Sequence, residues 1–544
     1  DWSDARSHDG TPSIVQPVIS PLYGGRSPHT LASLLATGQT ISAHERVRTT
    51  WRGLWHEEGD DAFEDRWRTA LGRGVIEGVP GTVKQPQGSI LDEPPPRRAS
   101  TAGAPSGDAL VAVFANDSNL ITGEYANNAW LQELPRPYTK ITWDNAALIS
   151  PATAQSHGLH SGDVVVLTAT DAPASVRAPV WILTGQADGV VTLPLGYGRG
   201  LGGSTAAGHG FDAYPLQAVQ EDIPQRTRVI TMTPTGDRHD FARTQHDMDT
   251  HGREPARVVE LRRNEASRNA TAAPPSAARG AATPALPPRS RPPAPSLYPD
   301  HEYNTYAWGM TVDLDACIGC NACVVACQAE NNIPVVGPEQ VSLGREMLWL
   351  RIDSYRDETR HRTQFQPMAC QHCENAPCEV VCPVGATMHD SEGLNVQVYN
   401  RCVGTRFCSN NCPYKVRHFN FFQYSLTDPS SAAHANPDVT VRQRGVMEKC
   451  TYCVQRISHA RIQSQKERRR IRDGEVVTAC QATCPTDAIV FGDMNDPDSQ
   501  VSRSKSSSRG YAVLEEMNTR PRTTYLARID DPEAGLEDDD DRKR

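Results

Sequence analysis

All 15 cysteines of the chain lie between Cys317 and Cys484. They fall into four groups. Cys317, Cys320, Cys323 and Cys327 read C-x2-C-x2-C-x3-C, and Cys370, Cys373, Cys378 and Cys382 read C-x2-C-x4-C-x3-C-P. Cys402, Cys408 and Cys412 read C-x5-C-x3-C-P, and Cys450, Cys453, Cys480 and Cys484 read C-x2-C-x26-C-x3-C-P. A cubane iron–sulfur cluster needs thiolates at several corners of a small cube. Closely spaced cysteines on one tight loop reach three corners, and the last cysteine of such a run carries its sulfur to a neighbouring cluster.

Zinc and disulfides explain the pattern less well. Zinc closes with four tetrahedral ligands, usually from two separated C-x2-C knuckles. A disulfide framework belongs to short secreted chains, and 15 is odd. The count also predicts cluster type. Group three has Thr405 where a second cysteine would stand, and a neutral hydroxyl is a poor replacement for a soft thiolate on iron. Whether or not the last cysteines cross between groups, one site has three thiolates. The expectation is three 4Fe–4S clusters and one 3Fe–4S cluster, with no cysteine left over.

The elements that must hold these loops are framed by the rest of the chain. A length of 544 residues allows about three or four domains. The chain is 38% hydrophobic and 22% charged, as folded domains with some loose segments are. A net charge of −10 argues against a simple basic nucleic-acid binder. No apolar run is long enough to span a bilayer, so membrane association is expected only through a partner. The chain starts at Asp1 without a visible leader. That suggests either a removed leader or the rear part of something longer.

Residues 1–80 do not read as a self-contained core. They suggest a loop from Val15 to Arg26, then a helix from Ser27-Pro28 with Leu31, Leu34 and Leu35 on one face. Further helices run through Arg46–Trp55 and Phe63–Leu71. Residues 81–108 read as a linker around Pro94-Pro95-Pro96. Residues 109–245 read as a small barrel. Its strands are Ala109–Phe114, Val164–Leu167, Val176–Leu183 and Val190–Pro194, with one helix, Pro151–Gly158, capped by Ser150. Residues 246–300 read as a Pro/Arg/Ala-rich linker, 301–530 as the cluster domain and 531–544 as an acidic tail.

Two regions carry a family resemblance. Asn127-Asn128-Ala129-Trp130-Leu131-Gln132-Glu133-Leu134-Pro135, Trp143-Asp144-Asn145-Ala146, Ser150-Pro151, Leu193–Gly198 and Gly210–Tyr214 resemble the C-terminal barrel of molybdopterin oxidoreductases. Cys402–Lys415 and Gly445–Cys450 resemble the four-cluster electron-transfer subunits of that superfamily. Fused in one polypeptide, they resemble the iron–sulfur subunit of bacterial alternative complex III. The implied fold is α+β: a double-psi-type β-barrel joined by a linker to a tandem ferredoxin-like domain. Residues 1–80 would be a remnant of the molybdopterin-type fold, most of which is missing at the front, so that the chain is expected to be a split version or a C-terminal portion.

The resemblance also supplies a pairing that spacing leaves open. It implies 4Fe–4S clusters on Cys317, Cys320, Cys323 and Cys484; on Cys450, Cys453, Cys480 and Cys327; and on Cys370, Cys373, Cys378 and Cys412. The 3Fe–4S cluster takes Cys402, Cys408 and Cys382. It implies quinol oxidation in integral-membrane partner subunits and delivery to multihaem and monohaem cytochrome c subunits. The chain would then sit peripherally on the periplasmic side of the bacterial cytoplasmic membrane. The rival expectation is the electron-transfer subunit of a molybdopterin reductase acting on polysulfide, nitrate or sulfite. No cysteine precedes Cys317, so the chain offers no thiolate for molybdenum, while Ser, Asp or a missing N-terminal half stay open as ligands; the resemblance implies an empty site without molybdenum, and the barrel reads as a cofactor-free interaction scaffold. No catalytic residue is expected.

Individual residues carry smaller expectations. His372 hydrogen-bonds near the clusters rather than ligating iron, Lys415 and Arg417 act through charge, and Trp308 and Trp349 are core. Arg461–Arg472 reads as a basic helix, solvated rather than docked on a partner or an anionic lipid.

Overall fold

The computed structural model describes residues 2–7, 10–17, 25–56, 59–76, 109–203, 205–220, 223–260, 301–357, 362–425 and 434–530. The expected linker 81–108, residues 261–300 of the second linker and the tail 531–544 lie outside the described residues. The chain divides into two compact units, 1–101 and 102–544.

The first unit has a core of its own, contrary to expectation. Strands β1 (Ser3–Arg6) and β2 (Pro12–Val15) form an antiparallel pair. Helices α1 (Pro28–Thr37), α2 (Ala43–Trp55) and α3 (Asp60–Arg73) follow. Val47, Trp51 and Trp55 recur every fourth residue on α2 and meet Phe63, Trp67 and Ala70 of α3 over Ile14. Four aromatic rings in one cluster supply the apolar area that leucine-based counting undervalues. Ser27 caps α1 with Pro28 at its first position. The α1 face that is buried carries Thr30 and Ser33, whereas Leu31, Leu34 and Leu35 are exposed. Arg46 of α2 reaches Ser33 Oγ at 2.6 Å, so α2 sits against the polar side of α1.

The second unit begins with the barrel. Its strands are β3 (Leu110–Ala115), β4 (Ala147–Ile149), β5 (Asp163–Ala169), β6 (Ser175–Ile182) and β7 (Val190–Pro194). A hairpin of β8 (Val219–Gln220) and β9 (Ile223–Pro224) precedes β10 (Thr227–Arg238). The closed order is β10-β3-β7-β4-β6-β5. The β3–β7 and β4–β6 pairs are parallel and the others antiparallel. Strand β10 spans two neighbours, β3 and β5, and closes the barrel. Alternation puts Leu110, Ala112, Phe114, Val165, Leu167, Val191 and Leu193 inside. Among the described residues the barrel region has two α-helices rather than one: α4 (Ala129–Glu133), capped by Asn128, and α5 (Pro151–His157), capped by Ser150.

The cluster domain is built on a four-stranded sheet. Trp308–Asp313 pairs antiparallel with Ile489–Asp493 and parallel with Thr523–Leu526, and Gly510–Tyr511 forms the edge. The residues just after the barrel are already part of this domain. Val258–Glu260 pairs in parallel with Arg528–Asp530, and Tyr511 donates its hydroxyl to the Pro255 carbonyl. The Pro- and Arg-rich composition placed the linker too early, because it averaged 246–260 with the residues beyond 260.

The barrel packs directly on the cluster domain through residues 133–143. Asn321 Nδ2 donates to the Pro135 carbonyl at 2.6 Å. The buried Glu133 carboxylate accepts from the backbone N–H groups of Val336 and Gly337 at 2.9 and 2.8 Å, and from Trp143 Nε1 at 3.2 Å.

Candidate iron–sulfur centres

Each cysteine loop runs into a helix. Cys317 and Cys320 sit on the turn before helix α6 (Ala322–Glu330), Cys323 lies in its first turn and Cys327 one turn further. The four-residue step from Cys323 to Cys327, about one turn, separates their sulfurs along the helix axis. Cys378 lies in helix α7 (Pro377–Val380) and Cys408 in helix α8 (Phe407–Asn411), which pack on each other. Helix α6 packs likewise on Ala479–Ala482, which carries Cys480. The four groups therefore form two helix-paired halves.

Electrostatic neighbours show which thiols converge. Cys317 is acted on by Cys484 and Cys320, and Cys323 by Cys480, Cys317, Cys320 and Cys484. Cys327 sits among Cys450, Cys453 and Cys480, and Cys373 among Cys370, Cys378 and Cys412. Cys370 also acts on Cys450. Arg417, burial of which opposes its charge, is held charged by Cys378, Cys408 and Cys370. The neighbours thus run in a row from the Cys317 loop through the Cys450 and Cys370 groups to Cys408.

These thiols suit metal clusters. All 15 are free. Burial pushes Cys323, Cys327 and Cys373 well above the ordinary thiol value, Cys378 up to about 11 and Cys453 up to about 12. Such a sulfur becomes a thiolate when a metal displaces its proton. Backbone donors also aim at the sulfurs: Ala386 N at Cys382, Ala488 N at Cys484 and Ala479 N at Cys453, at 3.2, 3.3 and 3.4 Å. At Cys382 burial is outweighed by backbone N–H groups of Val384, Ala386, Thr387 and Gly385, which hold its thiol below the ordinary value. Among the described residues no three such groups converge on a single-ion site; a cubane, wider than one ion, asks for sulfurs set further apart.

Thr405 occupies the place of Cys320. Arg406 has φ 64° before α8, as Asn321 has φ 63° before α6, and Thr405 and Cys320 precede these turns and are both exposed.

His372 is fully buried, with its ring stacked on Tyr452 at 3.9 Å, and its Nδ1 accepts from Asn395 N at 3.0 Å. Burial holds this imidazole well below its ordinary value, and Lys449, Arg522 and His389 act the same way. Arg417 is buried and contacts Asn395 and Gln397, whereas Lys415 donates to the Asn410 carbonyl. Trp308 and Trp349 are core, anchored by Glu392 and Glu448 at 2.6 and 2.9 Å.

The basic helix is not formed as expected. The helix spans Val454–Lys466, and Arg468 turns the chain out of it at φ 53°. Arg461 pairs with Glu392, Arg469 with Glu467 and Glu475, and Arg470 with Asp493. Counting basic residues alone missed the acids that pair with them, two of them local, Glu467 and Glu475, and two far away in sequence, Glu392 and Asp493.

Sequence reasoning also missed two buried lysines. Lys449 Nζ donates to the Cys450 carbonyl at 2.6 Å. Lys140, from the barrel, acts on Cys317. A lysine directly before a ligand cysteine was a readable signal for the first; nothing local marked the second.

Comparison with known proteins agrees with this geometry. Residues 316–386 and 361–427 each match a 4Fe-4S dicluster domain family. The menaquinone reductase iron-sulfur cluster-binding subunit of Nitratidesulfovibrio vulgaris is 41% identical over 228 residues, 41% of this chain and 89% of that one. The chain belongs to the family of iron–sulfur subunits of molybdopterin-type reductase complexes. The B subunit of polysulfide reductase from Wolinella succinogenes is 31% identical over 40% of this chain and 91% of its own. The Hdr-like menaquinol oxidoreductase iron-sulfur subunit 1 of Archaeoglobus fulgidus is 32% identical over 40% and 82%. This iron–sulfur subunit is an electron-transfer protein. No helix among its described residues is long and apolar enough to cross a membrane. Acetylene hydratase from Pelobacter acetylenicus superposes on 23% of the chain and 18% of its own length, at 21% identity and a TM-score of 0.18, too weakly to decide the barrel's family.

Proposed function

We propose that this chain is the electron-transfer subunit of a quinol-oxidising membrane complex of the alternative complex III type. Three 4Fe–4S clusters and one 3Fe–4S cluster, held by the cysteine sets that the family resemblance implies, supply single-electron acceptance and release. One observation carries the direction of the reading. Cys370, Cys373, Cys378 and Cys412 are buried, whereas Cys382, Cys402 and Cys408 are only partly covered. Around the second set Val380, Val384, Met388, Val403 and Phe407 are exposed. An apolar rim at the end of a row of ligand sets fits an integral-membrane, quinol-binding partner. Electrons would enter there and leave at the Cys317 end toward multihaem and monohaem cytochrome c subunits. The complex would hold the chain peripherally, on the periplasmic side of the cytoplasmic membrane. The barrel would serve as a double-psi-type scaffold without cofactor, and residues 1–80 as a remnant of the molybdopterin-type fold.

Cys408→Ser in the intact complex tests this. Quinol-dependent haem reduction should collapse while assembly and haem content persist. Unchanged turnover in an assembled variant lacking the three-iron EPR signal would sink the entry point. Thr405→Cys should convert that signal toward a cubane.

The names of the relatives favour a second reading, the electron-transfer subunit of a molybdopterin reductase of the polysulfide type. Metal analysis separates the two. Iron with no molybdenum, tungsten or extractable pterin supports the first, and stoichiometric molybdenum the second.

A further inference from the structure

Lys140 is a barrel residue, only 1% exposed, and its ammonium has no hydrogen-bond partner among the described residues. Its backbone is fixed at φ 60° and tied by its N–H to Arg136 and by its carbonyl to Thr244. The side chain lies over the Phe365 ring, 5.7 Å from its centroid, and Tyr138 packs on the same ring at 5.5 Å. Phe365 in turn covers Gly319, between Cys317 and Cys320, so closely that a Cβ there would lie 2.5 Å from the ring. The barrel thus delivers a cation to the Cys317 loop through one aromatic ring.

A buried ammonium without a partner is strongly unfavourable, and it persists where a nearby negative charge compensates it. Burial lowers the Lys140 ammonium to about 8, and two groups act against that: Asp353, and Cys317, whose sulfur is negative once it is a thiolate on a cluster. Asp353 is already bonded to Arg351 at 2.8 Å. We infer that Lys140 is the charge partner of the cluster ligated by Cys317, Cys320, Cys323 and Cys484, and that the barrel raises that cluster's reduction potential through it. This gives the barrel an electrostatic role that needs no cofactor of its own. The inference rests on the ligand set proposed above. A fixed positive charge beside a cluster favours its more negative, reduced state, so removing it lowers the potential.

The test is an EPR-monitored redox titration of the complex with wild-type chain, Lys140→Met, Lys140→Arg and Cys320→Ser. Cys320→Ser identifies the signal of the Cys317 set. In Lys140→Met that signal should need an ambient potential at least 59 mV lower, a tenfold fall in its reduced-to-oxidised ratio for one electron. In Lys140→Arg the ratio should stay within about threefold of wild type, and the other signals should not move. Unchanged titration of all signals in Lys140→Met at full iron content overturns the inference alone. Iron loss in Lys140→Met with full iron in Lys140→Arg supports it. Equal iron loss in both assigns Lys140 to packing and overturns it. If Cys320→Ser removes no cubane signal, the ligand set itself falls, and the inference with it.

Discussion

Glu133→Ala probes how the barrel is fastened to the cluster domain. The Glu133 carboxylate accepts from Trp143 Nε1, Val336 N and Gly337 N, and it is completely buried. Alanine removes the acceptor and leaves three donors without a partner. Each buried unsatisfied donor costs about 1–3 kcal/mol, so the local structure should weaken by about 3 kcal/mol at the low end. That corresponds to roughly a hundredfold in a local opening equilibrium. Hydrogen exchange at Val336 and Gly337 reads it directly, and both amides should exchange roughly a hundredfold faster than in wild type. Exchange within threefold of wild type would refute the reasoning, since those amides would not depend on Glu133.

Glu133→Gln separates the charge from the bonds. Burial raises the Glu133 carboxyl to about 7 from 4.5, against the hydrogen bonds from Gly337, Val336 and Trp143, with Glu346 adding to the rise. The folded form therefore binds more protons than the unfolded form between those values, and Glu133's contribution to stability falls as pH rises through that window. The rise corresponds to about 3 kcal/mol, complete above the folded value. Glu346, raised to about 7 chiefly by burial, adds a slope of the same sign. Glu133→Gln should remove only its own part, so the stability difference between Gln and Glu chains should grow from pH 4.5 to 7 and then level off.

Single contacts yield three further predictions. Arg442 and Glu448 form a buried pair at 2.8 Å, so Arg442→Met should cost about 3–5 kcal/mol by leaving a buried charge uncompensated; adding Glu448→Gln should restore part of the lost melting temperature. Gly319→Ala should displace Phe365 and lower iron content by one cluster, because φ is 70° there and a Cβ would meet the ring; full iron loading would show that the loop yields. Ser150→Ala removes the α5 cap, a bond to Thr153 N at 3.1 Å, and should lower barrel stability by about 1 kcal/mol in denaturant unfolding.

Much of the local structure was legible because its cause is local. Cysteine spacing marked the ligand loops, Ser27-Pro28 and Ser150-Pro151 marked two helix starts, and alternation marked four barrel strands. Thr405 could be named as the odd position from counting, and the matching backbone turns at Arg406 and Asn321 agree with it. Strand β4, three residues long, and β10, whose exposed polar half hides its alternation, carried too little pattern to read.

What depended on long-range contact was not legible. Exposure of the leucines on α1 follows from where α2 packs, and Arg461 and Arg470 find their acids far away in sequence, at Glu392 and Asp493. Residues 258–260 become a strand because Arg528–Asp530 offers an edge. Convergence of Cys327 with Cys450, of Cys484 with Cys317, and of Lys140 with the Cys317 loop is likewise a product of the tertiary fold. The physical reason is the same in each case. Spacing along the chain constrains what one turn or one helix can present, whereas burial and charge pairing depend on which distant surface covers it.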